Sequence, residues 1–163
     1  MLAEVEREIA GFQESPEVWL EQTFGAIGES EMSHLPFYRP HLPVKAIGFQ
    51  RFDNQWLGAL LTPWMLNLVI LPGRDQIWPV RTVGQRLTLA LPQKDITFQV
   101  GETPDGNQYL ASSLLSPLPA TMSAQEAISL AQDSLRLALS LPMRTRSEVN
   151  HSLRALLRGR MAD

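Results

Sequence analysis

The chain contains no cysteine. That absence removes disulfides, thiolate metal sites and cysteine nucleophiles together. Histidine is scarce as well: the three are His34, His41 and His151. His34 and His41 lie in a proline-rich stretch without a neighbouring acid, so they read as turn or surface residues rather than metal ligands. Long hydrophobic runs are missing. A membrane helix needs roughly 18 apolar residues, and the longest run here, Met65 to Pro72, is short and interrupted by Asn67. The N-terminus, MLAEVEREIAGF, has neither a basic leader nor an apolar stretch behind it. The expectation is no secretory signal, no stable membrane insertion and a cytoplasmic location.

Charge is present but segregated. Net charge is −3, with 44% hydrophobic and 19% charged residues, as in a soluble globular chain. Residues 1–31 hold eight glutamates against Arg7, whereas residues 144–160 hold five arginines against Glu148. A net acidic chain without a basic stripe on its body argues against nucleic acid as a partner. The expected organisation is one domain over residues 1–143, loosely held up to about Glu8, followed by an arginine-rich tail over 144–163.

Local signals predict an α+β fold. Ser15 suits an N-cap, Pro16 a first helical position, and Glu17 the positive end of the helix dipole. Leu20, Phe24 and Ile27 recur at helical spacing, and Gly28 weakens the helix near its end. Val44–Phe52 and Gln55–Thr62 flank the turn pair Asp53-Asn54 and read as a hairpin. Leu87, Leu89 and Leu91, then Ile96, Phe98 and Val100, alternate with polar or small residues, so each segment is a strand with one buried face. Asp105-Gly106 turns into a strand from Gln108. Ser123 and Glu126 form a capping box, and Ala124, Ala127, Ile128, Ala131, Leu135, Ala138 and Leu139 make an apolar helical stripe that Pro142 ends. Together these give an antiparallel sheet of about five to six short strands, packed with an N-terminal and a C-terminal helix.

Catalytic patterns are scarce. Ser112 and Ser113 lack the glycines of a nucleophile elbow. Gly101 to Gly106 lacks the Lys-Ser/Thr of a phosphate loop and reads as a hairpin turn. No catalytic residue, metal site or cofactor is expected.

The richest stretch is Thr62 to Pro79, TPWMLNLVILPGRDQIWP. It holds two of the four tryptophans, a methionine, six aliphatic residues and three prolines, and its only ionisable residues are Arg74 and Asp75. Trp56, beside Leu57 and Leu60 in a strand, reads as core. Trp64 and Trp78 admit two readings, core or contact surface. Both adjoin prolines, and a residue already restrained loses little entropy on binding. The expectation is that Trp64, Met65 and Trp78 form an exposed apolar patch framed by Pro63, Pro72 and Pro79.

This block, with Ile9-Ala-Gly-Phe12 upstream and Gln108-Tyr-Leu110, Leu114-Leu-Ser-Pro117 and Arg154-Ala-Leu-Leu-Arg-Gly-Arg160 downstream, resembles the HybE family of nickel-iron hydrogenase assembly chaperones. The resemblance implies a cytoplasmic chaperone that binds a hydrogenase structural subunit precursor: the small subunit with its twin-arginine export signal, the large subunit, or both. Some relatives carry a rubredoxin-type cysteine unit; this chain does not, so bound iron is not carried over. An export signal of arginines followed by an apolar segment calls for an apolar groove with acid at one end. The candidate partner-binding residues are therefore Trp64, Met65, Trp78, Asp75, Arg74, Glu17 and Glu21, acting without turnover. A permanent scaffold subunit of a larger complex remains an alternative, and a small-molecule-binding domain a weaker one. Self-association stays open.

Overall fold

The computed structural model describes residues 8–140. The arginine-rich tail, residues 144–163, and the first seven residues lie outside them. In chain order the elements are β1 (Glu8–Ala10), α1 (Glu17–Ile27), a π-helical turn (Gly28–Met32), β2 (Lys45–Phe52), β3 (Gln55–Thr62), β4 (Met65–Leu71), β5 (Ile77–Pro79), β6 (Arg86–Ala90), β7 (Asp95–Glu102), β8 (Gln108–Leu115) and α2 (Ala124–Leu139). Six strands form one antiparallel sheet in the order β2-β3-β4-β8-β7-β6, and β1 pairs with β5 in a separate ribbon. The α+β class is as expected. The β1–β5 ribbon is an addition.

The sheet has a core on each face, so the fold is three layers. On one face Leu57, Ala59 and Leu61 of β3 and Leu66, Leu68 and Ile70 of β4 meet Ala127, Ala131, Leu135 and Ala138 of α2. On the other, Trp56 and Leu60 of β3 and Val69 and Leu71 of β4 meet Leu20 and Phe24 of α1. Strand alternation makes this possible, because successive side chains point to opposite faces. In β3 every residue is buried, and each fully buried leucine contributes about 1.5–3 kcal/mol.

Two turns behave as their sequences dictate. Asp53 and Asn54 take φ of 52° and 69° between β2 and β3, the left-handed pair of a tight hairpin that Asp and Asn tolerate. At the start of α2, Ser123 Oγ accepts from the Glu126 amide at 3.1 Å and Glu126 Oε1 accepts from the Ser123 amide at 2.8 Å. The N-cap of α1 differs from expectation. Pro16 occupies it with φ −81° and ψ 12°, and no side chain caps the helix. Ser15 stands one residue too early. As expected, α1 ends close to Gly28: its last residue is Ile27 and Gly28 is its C-cap, and the chain continues through the π turn to Met32.

A bulge shapes the β2 edge. Between Ile47 and Gln50, Gly48 and Phe49 lie opposite Gly58 alone. Gly48 takes φ 64°, and the Phe49 ring fills the space over Gly58, where a Cβ would lie 2.3 Å from it. Along this edge the amides of Ala46 and Phe49 face α1. Glu21 Oε2 accepts from Ala46 at 3.0 Å and Glu17 Oε2 from Phe49 at 3.2 Å. Glutamates four apart share one helix face, so α1 covers the edge strand with two carboxylate acceptors and blocks further strand pairing there.

Candidate functional site: a groove beside the first helix

The turn between β3 and β4 is Pro63-Trp64. Thr62 Oγ1 accepts from the amides of Trp64 (3.3 Å) and Met65 (3.1 Å), and the Arg39 amide donates to the Pro63 carbonyl at 2.7 Å. This fixes Trp64 against the junction of α1 and the π turn. Its ring is stacked on Tyr38, with centroids 6.2 Å apart and planes 16° apart. Met65 is half-buried beside it, and its Sδ accepts from Asn67 Nδ2 at 3.0 Å. Further along α1, Phe24 meets the edge of Tyr109 on β8 at 5.6 Å. Tyr109 in turn lies over Gly101, where no Cβ fits.

These side chains line an open groove of about 430 Å³. One wall is Phe24, Ile27 and Glu31; the floor is Trp64, Met65 and Tyr109; the far rim is Glu102, Thr103 and Pro104. Glu31 is exposed on the π turn. Glu102 has one carboxylate oxygen engaged, accepting from Gln108 Nε2 at 2.9 Å. Beyond the rim, the Thr103 hydroxyl donates to Asp105. That bond, together with donors from Asn107, holds the Asp105 carboxyl below its ordinary value. Burial pushes the Tyr109 phenol up from its ordinary 10.0, so it enters the groove neutral. The lining offers apolar contact and negative charge on its rim, without a nucleophile–base pair. Among the described residues no group of three His, Asp or Glu is placed to hold a metal ion.

The exposed patch expected of Trp64, Met65 and Trp78 does not exist. Trp64 is 7% exposed and Trp78 only 2%, and they belong to different cores, one on each side of the sheet. Pairing of Trp78 with Ile9 in the ribbon turns its ring inward, where Arg81 stands 5.8 Å from the ring centre. Trp64 nonetheless lines the groove with Met65. Arg74 and Asp75 are exposed in the turn between β4 and β5 and line no part of the groove. Glu17 and Glu21 are engaged with the β2 edge, as described above. Sequence reasoning missed Phe24, Ile27, Glu31 and Tyr109 as groove residues. Phe24 and Ile27 carried a helical core signal, and Tyr109 stood within a stretch that carried the family resemblance.

By class, this is a layered α+β protein with a surface groove of mixed apolar and acidic lining. Residues 15–159 match the family described as NiFe-hydrogenase assembly, chaperone, HybE. The chain is 46% identical over 154 residues to the hydrogenase-2 operon protein HybE of Escherichia coli strain K12, covering 94% of each. It is 32% identical over 117 residues to the hydrogenase expression/formation protein HoxT of Azotobacter vinelandii, covering 71% of this chain and 75% of that one. The solution structure of HybE from Escherichia coli matches it with a TM-score of 0.68 at 46% identity, covering 83% of this chain and 84% of that one. The chain therefore belongs to the HybE family of nickel-iron hydrogenase assembly chaperones. Its role lies in hydrogenase maturation.

Proposed function

We propose that this protein captures a hydrogenase structural subunit precursor in the cytoplasm and holds it, without turnover, until assembly or export. The client segment is an apolar stretch preceded by arginine, as in a twin-arginine export signal. The observation that carries this reading is the groove beside α1. Its floor of Trp64, Met65 and Tyr109 suits an apolar side chain, and Glu31 on its rim suits a guanidinium. Half-buried Met65 adds adaptability, because a thioether packs against apolar side chains of several shapes. The carboxylate speeds encounter and fixes direction, while apolar burial supplies affinity.

Titrating the purified protein with purified small-subunit precursor, intact and with its export signal removed, tests the reading. Saturable binding of the intact precursor, lost with the signal, supports it. Equal binding of both forms moves the client site to the folded subunit. Tight, permanent incorporation into the finished enzyme supports a scaffold role instead.

A further inference from the structure

Gly28 is a glycine where the backbone needs none. Its φ of −59° and ψ of −46° are helical, a conformation that alanine holds more readily. The reason for glycine is space. A Cβ at this position would lie 2.9 Å from Cζ3 and 3.5 Å from Cη2 of Trp64. Tyr38 stacks on the same indole, with ring centroids 6.2 Å apart. The Tyr38 hydroxyl also stands 3.7 Å from the same Cβ position. Trp64 also lines the groove, together with Ile27 and Met65.

We infer that Gly28 sets the depth of the groove through Trp64, and thereby the size of the apolar side chain that fits beside Met65. This rests on the groove being the client site. The occupant it selects is a segment with arginine ahead of a large apolar residue. The arginine meets Glu31, on the same π turn as Gly28, and the apolar residue enters between Trp64 and Met65. Gly28 touches no client atom; it is a positioning residue that acts through the indole.

The test uses short peptides carrying an arginine pair followed by one variable residue, Ala, Leu or Phe. Each is titrated against the full chain, Gly28→Ala, and Gly28→Ala combined with Trp64→Phe, with near-ultraviolet circular dichroism confirming each fold. The wild-type chain is expected to favour Leu and Phe over Ala. Gly28→Ala is expected to lose on the order of tenfold for Leu and Phe, the scale of a small steric mismatch in an apolar pocket, and little for Ala. The smaller ring of Trp64→Phe clears the added methyl and restores Leu and Phe binding. Equal change across the series, no change at all, or no recovery in the double variant overturns the role of Gly28 while leaving the groove as client site. Failure of the wild-type chain to bind any peptide overturns the groove reading, and this inference with it.

Discussion

Replacing Glu17 and Glu21 together by alanine separates two roles for these acids. In the structure each carboxylate takes one amide of the β2 edge, at 3.2 Å for Phe49 and 3.0 Å for Ala46. A hydrogen bond to a charged acceptor contributes about 1.5–3 kcal/mol. Both glutamates are only half-buried, and water can replace part of what is lost, so the lower end applies. Glu17 also stands in the first turn of α1, where a carboxylate adds about 0.3–1 kcal/mol through the helix dipole. The double variant should therefore lose about 3–4 kcal/mol in urea denaturation. Glutamine, which keeps an acceptor without the charge, should recover a large part of that loss. The uncovered edge should also promote association, visible as light scattering that rises with protein concentration. Precursor affinity should be unchanged in the folded fraction. A double variant of wild-type stability that no longer binds precursor would refute this account and return both acids to the partner-binding role expected from sequence.

Three further changes probe other parts of the fold. Trp78→Ala should cost about 3–5 kcal/mol of stability, the range for a buried large aromatic, and leave precursor binding of the folded fraction unchanged in calorimetry. Ser123→Ala should cost about 1 kcal/mol in thermal or chemical unfolding by removing the N-cap of α2. The Asp105 carboxyl is held below its ordinary value chiefly by the Thr103 hydroxyl. Its contribution is fully present above the unfolded value, about 3.9, and is lost as pH falls through the lower folded value. Thr103→Val should flatten the stability-versus-pH curve in that acid window and leave its slope at neutral pH unaltered.

Much of the fold was legible because its signals are local. The Asp53-Asn54 and Asp105-Gly106 turns, the alternation in β6 and β7 and the Ser123–Glu126 capping box all lie within a few residues of sequence. The β1–β5 ribbon was not. Its strands are three residues each, too short for a period. It depends on backbones meeting so closely that a Cβ on Gly11 would overlap the Gly73 carbonyl. That ribbon decides which way Trp78 faces, so the side of the sheet it joins could not be read from its proline neighbour. The edge contacts of Glu17 and Glu21 span 32 and 25 residues, and an acidic run carries no mark of such partners. The groove was half legible. Trp64 and Met65 stood out by composition, but their joining with Phe24, Ile27 and Tyr109 is a product of layer packing.

The groove beside α1 is the proposed site of the precursor. Met65→Glu tests it most directly, because Met65 is half-buried on the groove floor and its replacement removes less core than that of either tryptophan. A carboxylate there must be desolvated by an apolar client segment, which costs affinity steeply. Calorimetric titration of the folded variant with intact precursor should show affinity reduced by about 2 kcal/mol or more, the scale of an interface hot spot. Wild-type affinity in the folded Met65→Glu variant would contradict the account and place the client on another surface.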